Sequence, residues 1–499
     1  MSPEIDPDRP NLPVAIHETH SGIVVLIGER AYKAKKPVVT DFLDFSTLER
    51  REQVCAREVE LNSRLAADTY LGIARFSDPT AATAEPVIVM RRYPDSARLA
   101  TVVRDTRTDR GAAALRTVAG VLAGFHDGAE RGERVESQGR LDAVRGRWRD
   151  NITEMATLAV GVLPDDAVAT VERLALRYLA GREALFDRRI AERRIVDGHG
   201  DLLADDIFCL PDGVQILDCL EFDDALRHVD AIDDAAFLAM DLEFLGRADL
   251  AELFVAEYRR ASGDSAPASL VDFYIAYRAL VRAKTDCVRF AQGHRGSQDS
   301  AQAHLRIATD HLRSATVRLA VIGGGPGTGK TTVSHRVAQQ VGAEVISTDR
   351  VRQELHERDV ITGRPGEPDA GLYAPRHVDT VYREVFARAR RLLAEGRSVI
   401  LDGTWREPRR RAEARELAAA LHAPLLEIQC RTDVDTAAQR VADRPAGHPS
   451  DATAQIAEHL EMDPLGWPEA VPLDTTAPQV DSAESVVRRW RALADSVSG

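Results

Sequence analysis

Gly323-Gly324-Gly325-Pro326-Gly327-Thr328-Gly329-Lys330-Thr331-Thr332 decides how the rest of the chain is read. An apolar run at 319–322 precedes it, and a segment with helical spacing at 333–341 follows. Strand, glycine-rich turn and helix form the context in which GxxxxGK(S/T) denotes a phosphate-binding loop. Glycines let successive backbone N–H groups curl around a phosphate, and the next helix presents its N-terminus to the same anion. The spacing therefore gives Gly324, Gly325, Pro326, Gly327, Thr328, Gly329 and Thr332 to the nucleotide phosphates. Lys330 is placed to reach the β- and γ-phosphates, and Thr331 to ligate Mg²⁺. ATP and GTP satisfy this stretch equally well.

Outward from the loop, Glu344-Val345-Ile346-Ser347-Thr348-Asp349 reads as a short strand ending in an acid, with Arg352 three residues further on. An Asp at a strand's carboxyl end, in the crevice beside a phosphate loop, is placed to orient or deprotonate a substrate hydroxyl. Arg352 then holds an anionic or polar group of that substrate; a helix-capping Asp with a surface Arg is the plainer alternative. An amphipathic helix is expected over 378–396. A buried strand over 398–404 carries Asp402 where the Walker B aspartate is expected, holding Mg²⁺ through water. A parallel-type strand follows at 424–430, then a helix at 433–442. Arg440 and Arg444 stand four residues apart before the loop 445–451, where they could close over a transferring phosphate or simply be solvated. A last helix is expected over 482–494, and Trp467 reads as an anchoring core aromatic.

Taken in order, GxxxxGKT, SxDxxR, a VILDG strand and a lid RxxxR resemble the P-loop small-molecule kinases, the group with polynucleotide kinase, gluconate-type and zeta-toxin-like kinases. That resemblance implies ATP- and Mg²⁺-dependent phosphoryl transfer to a hydroxyl, with Asp349 as base.

Composition bounds what the remainder can be. A chain of 499 residues exceeds one core and suggests two to four domains. Hydrophobic residues at 44% and charged residues at 29% fit a globular chain, and no run of eighteen apolar residues predicts a membrane span. The polar, proline-rich 1–12 is not a signal peptide. Cys55, Cys209, Cys219, Cys287 and Cys430 show no CxxC spacing and no even count, which fits a reducing cytoplasm. The net charge of −14 resides mostly in the first 310 residues, since 25 basic and 27 acidic residues follow. Neither portion has the net basic character of a nucleic-acid binder. Only five of 65 basic residues are lysine, and three of them (Lys33, Lys35, Lys36) cluster far from Lys330.

That cluster sits in a strand–turn–strand pattern, 23–27 then 31–39, with Lys33 and Lys35 on one face. A helix over 46–65 carries Glu58. A buried strand at 87–90 follows, and helices dominate from 101, including 112–126 and 165–189. Val196-Asp197-Gly198-His199-Gly200-Asp201-Leu202 then precedes a short strand running to Asp218. Helices are expected at 273–290 and 300–314, the second leading almost directly into the phosphate-loop strand.

In that order, Ala31-Tyr32-Lys33, Glu58, Gly120 to His126, His199-Gly200-Asp201 and Asp218 resemble the aminoglycoside phosphotransferase-type, protein-kinase-like folds. The resemblance implies that Lys33 holds α/β-phosphates, Glu58 is its ion-pair partner, Asp201 is the base and Asp218 binds metal. Two departures stand out. Asp206 occupies the metal-binding position where the family has Asn, adding negative charge beside Asp201. No glycine-rich loop covers the phosphates, and 18–22 stands in its place. His126 and His199 read as buried, hydrogen-bonded residues.

The expected architecture is thus mixed α/β and α+β. A bilobal kinase-like domain spans 1–310, with a small β lobe to about 93. A P-loop domain with a parallel sheet flanked by helices spans 315–499. Three functions follow: a kinase for a small hydroxyl substrate working through the C-terminal domain, a small-molecule kinase working through the N-terminal one, or a nucleotide-regulated binding module.

Overall fold

A computed structural model describes residues 14–18, 22–39, 44–77, 83–164, 166–364, 369–443, 466–476 and 479–495. Two compact units emerge from interleaved segments. The first comprises Met1–Ala143, Arg189–Ser265 and Arg278–Ala283; the second comprises Val144–Arg188, Ala266–Tyr277 and Lys284–Gly499. The chain near residues 310–315 therefore lies inside the second unit.

In the first unit, β1 (Val14–Glu18), β2 (Gly22–Ile27), β3 (Arg30–Lys35), β4 (Tyr70–Ser77) and β5 (Ala84–Arg91) form an antiparallel sheet in the order β1-β2-β3-β5-β4. β3 stops at Lys35, short of the expected 39, and Pro37 follows with no N–H to donate to a ladder. β1 and β4 were not expected. Six of the eight β4 side chains are exposed, and a bulge at Gly72 breaks its alternation, so period two is not legible there.

Helix Leu48–Ala66 starts where the Thr47 hydroxyl accepts the Arg50 N–H, with Glu49 in its first turn. Cys55, Glu58, Asn62 and Ala66 recur at three- and four-residue spacing, so one face of the helix is buried. Cys55 and Ala66 join Ala31, Tyr70, Ile88 and Met90 in one apolar cluster, which fixes Glu58 against the lysine strand.

The same unit holds two short antiparallel pairs. β6 (Ile195–Asp197) pairs with β9 (His228–Asp230), and β7 (Ile207–Leu210) pairs with β8 (Gly213–Ile216). Asp201 lies between β6 and β7. Asp218 sits two residues beyond the end of β8, with φ 64°, rather than closing the strand as expected.

In the second unit, β10 (Leu319–Gly323), β11 (Glu344–Ser347), β12 (Val399–Asp402), β13 (Leu425–Arg431) and β14 (Val471–Asp474) pair in parallel, ordered β11-β12-β10-β13-β14. All residues of β10 and β12 are buried, as strands covered on both faces require. Ile322, Val333, Val337, Ile400, Ile428 and Trp490 share the core on one face, each large side chain contributing about 2 kcal/mol. Chain order reverses around β10, so a crevice opens beyond the carboxyl ends of β10, β12 and β13.

The opposite ends of these strands rest on helices from earlier in the chain. The stretch expected as one helix over 165–189 is two, Ala167–Leu179 and Glu183–Ala191, broken at Gly181 with φ 75°. A Cβ on Gly181 would lie 3.0 Å from the Leu421 carbonyl oxygen. Arg182, 1% exposed, donates to that carbonyl at 3.0 Å, and desolvation by burial pushes its pKa down to about 10. Ser269 donates to the Gly396 carbonyl at 2.5 Å, and Arg188 pairs with Glu395 at 2.9 Å. Helix Ser297–Ala315 reaches β10 through only three residues. Among the described residues no helix is long and apolar enough to cross a membrane.

Candidate functional site

The phosphate loop leaves β10 and ends at Gly329, the N-cap of helix Lys330–Val341. Gly327 has φ 79°, and a Cβ there would lie 2.2 Å from the Ala437 carbonyl oxygen, so only glycine fits. Thr328 donates its hydroxyl proton to the Gly325 carbonyl at 2.8 Å. Lys330 is 7% exposed, and its ammonium lies 3.5 Å from the same carbonyl. Gly324, Pro326 and Thr332 complete the turn and the first helical residues.

Thr331 donates its hydroxyl to Asp402 Oδ2 at 3.0 Å. Asp402 is 2% exposed, and its Oδ1 has no well-aligned hydrogen-bond partner among the described residues. Burial pushes this carboxyl up, opposed by the Lys330 charge and the Thr331 hydroxyl. No three His, Cys, Asp or Glu side chains form a ready-made metal cage among the described residues. A buried carboxylate beside a threonine hydroxyl nevertheless fits Mg²⁺, which takes few protein ligands and keeps waters and phosphate oxygens.

The strand expected to end in Asp349 ends at Ser347, and Asp349 lies in the first turn of helix Thr348–Glu357. One helical turn brings Arg352 to it, at 2.6 Å. Arg352 is 7% exposed, and its guanidinium stands 4.3 Å over the Tyr373 ring. Arg440 donates to the Thr475 carbonyl at 2.9 Å and to the Gly327 carbonyl at 3.4 Å. Arg444 and the loop 445–451 lie outside the described residues. Trp467 is a core aromatic, buried, with its Nε1–H donated to Glu427.

The first unit carries a separate cluster. Lys33 Nζ lies 2.8 Å from Glu58 Oε1 and 2.5 Å from Asp218 Oδ1. Lys35 Nζ lies 2.6 Å from Glu58 Oε2 and 2.5 Å from Glu221 Oε1. Glu58 is fully buried, and its oxygens meet both lysines as ion pairs without hydrogen-bond alignment. Desolvation works against the Lys33 cation, yet Asp218 and Glu58 hold its pKa well above the ordinary range. Desolvation likewise pushes Asp218 up, but Lys33 outweighs it and holds the carboxyl low.

Asp201 forms no lysine ion pair among the described residues. Desolvation pushes it up to about 6, with Arg282 and Arg278 pulling the other way. Asp206 is raised by desolvation, then by the charges of Asp218 and Asp201. A protonated Asp206 presents both a carbonyl oxygen and a donor, as an Asn side chain does.

The loop carrying Asp201 is tightly held. Asp234 accepts the His199 N–H at 2.7 Å, the Gly200 N–H at 2.9 Å and His126 Nε2 at 3.0 Å. His199 donates Nε2–H to the Leu217 carbonyl at 3.0 Å, and Arg278 donates to the Gly200 carbonyl at 3.1 Å. Both histidines are buried and hydrogen-bonded, as their sequence context suggests.

Sequence reasoning missed Glu221, Asp234, Tyr373 and Thr475. Glu221 had one legible signal: two buried lysines on one strand face require more than a single carboxylate. The others depend on long-range packing that no spacing encodes.

A kinase-like N-terminal fold followed by a P-loop domain is the class these two sites define. The family model for an AAA domain matches residues 319–462. The chain is 53% identical over 479 residues to Uncharacterized protein Rv2004c of Mycobacterium tuberculosis (strain ATCC 25618 / H37Rv), covering 96% of each, and it belongs to that protein's family. A choline/ethanolamine kinase family protein from Mesorhizobium loti is 16% identical with TM-score 0.39, over 61% of this chain and 92% of that one. A gluconokinase from Sinorhizobium meliloti 1021 is 19% identical with TM-score 0.26, over 36% of this chain and 94% of that one. The fold assignment rests on the chain's own topology.

Proposed function

We propose that this protein is an ATP-dependent phosphotransferase whose chemistry resides in the P-loop domain, with a hydroxyl of a small molecule as acceptor. The observation that carries the reading is the Thr331–Asp402 pair beneath the loop, with Asp402 buried and in the field of Lys330. Bound Mg²⁺ would neutralise charge on the β- and γ-phosphates. Lys330 and the loop N–H groups bind those phosphates. Asp349, oriented by Arg352, takes the acceptor proton and passes it to solvent through its one-quarter-exposed side. Arg352, stacked on Tyr373, holds a polar or anionic group of the acceptor.

The test is acceptor-dependent ADP release across a panel of sugars, sugar acids and amino alcohols. At least one member stimulates the wild-type chain. Asp349→Asn reduces that stimulation by about a hundredfold or more, with the KM for ATP little changed. Stimulation that survives intact in the variant contradicts the assignment.

A second reading places transfer in the first unit. Its support is the assembled Lys33–Glu58 and Lys33–Asp218 pairs. Asp206 tells against it at neutral pH unless the carboxyl carries a proton.

A further inference from the structure

Thr475 directly follows β14 and is 5% exposed. Its hydroxyl lies 2.7 Å from the Thr328 carbonyl oxygen and 3.0 Å from that of Arg431. One hydroxyl carries one proton, so it donates to one carbonyl at a time. The Thr328 carbonyl is the nearer acceptor, and the Arg431 carbonyl is already met by the Thr475 N–H at 2.9 Å, so the hydroxyl is assigned to the phosphate loop. The Thr475 carbonyl accepts from Arg440, whose guanidinium also reaches the Gly327 carbonyl. Loop, strand end and helix Val434–Ala442 are thereby tied at one point.

The consequence follows from peptide geometry. In a planar trans peptide, the C=O and the next N–H point in opposite directions. Holding the Thr328 C=O toward Thr475 turns the Gly329 N–H away from it. That N–H donates to no carbonyl among the described residues. It adjoins the first N–H groups of helix Lys330–Val341, which have no partner within the helix. These are the donors with which such a loop binds phosphate.

We propose that Thr475, together with Arg440, is a positioning residue for the nucleotide phosphates. The hydroxyl locks the 328–329 peptide so that its N–H faces the phosphate, and Arg440 locks the peptide before it. The proposal rests on the P-loop domain binding ATP. In this arrangement Arg440 works through the loop backbone, whereas its sequence position suggested contact with the transferring phosphate.

Calorimetric titration of the full chain with AMPPNP and Mg²⁺ tests this in wild type, Thr475→Val, Thr475→Ser, Arg440→Met and the Thr475→Val/Arg440→Met double variant. Thr475→Val raises Kd about fivefold, whereas Thr475→Ser, which keeps the hydroxyl, stays within about twofold of wild type. The double variant weakens binding by clearly less than the product of the single effects, because both residues hold one backbone segment. Wild-type affinity in Thr475→Val, equal losses in the Val and Ser variants, or fully multiplicative effects overturn the latch while leaving the functional reading standing. A wild-type chain that binds no AMPPNP overturns both. Should Thr475→Val fail to fold, wild-type affinity in Arg440→Met overturns the proposal and weakened binding there supports it.

Discussion

Three aspartates of the first unit divide according to their neighbours. Asp218 touches the Lys33 ammonium and stays ionised, whereas Asp201 and Asp206 are pushed up by desolvation. For Asp201 the consequence for stability has a definite sign. Its folded pKa of about 6 exceeds the ordinary 3.8, so the native state holds a proton that the unfolded chain has lost between those values. Stability therefore falls as pH rises from about 4 to about 6, and then levels off for this group. Asp201→Asn removes that part of the decline. Urea midpoints of wild type and variant across this range check it, and superimposable profiles would sink the assignment. Lys33 was legible because lysine is rare here and a strand face holds two of them, and Glu58 through the resemblance to kinase-like folds. Which acid would be neutral was not legible, since that depends on how the chain packs around each group.

At the scale of elements, long apolar or regularly spaced segments read true. β10 and helix Lys330–Val341 were both plain in sequence. Boundaries set by a single residue's surroundings were less so. Asp349 reads as a strand end because Val345 and Ile346 precede it, yet the chain turns into a helix at Thr348. Gly181 interrupts a helical pattern because its backbone abuts Leu421, some 240 residues later. Gly181→Ala places a Cβ at a left-handed φ against that carbonyl and lowers stability by about 1–2 kcal/mol. Thermal melting of the full chain measures this, and an unchanged midpoint would mean that the helices do not seat on the P-loop sheet as described. Packing of this kind explains why the second compact unit gathers Val144–Arg188 with the P-loop domain.

At the scale of the whole molecule, one chain carries two candidate phosphate sites built on unrelated physics. One cradles anions with backbone N–H groups at a helix N-terminus. The other presents a lysine fixed by a buried carboxylate. The P-loop site brings together its loop, Lys330, the buried Asp402 and the candidate base Asp349, whose charge adds to the upward push on Asp402, whereas the first unit pairs Lys33 and Lys35 with Glu58, Asp218 and Glu221. The direct measurement is ADP release from ATP and Mg²⁺ by the full-length chain as wild type, Lys330→Ala and Lys33→Ala. Lys330→Ala is expected to lower turnover at least about a hundredfold while Lys33→Ala stays within about threefold of wild type. Turnover that survives Lys330→Ala and collapses in Lys33→Ala would contradict that expectation.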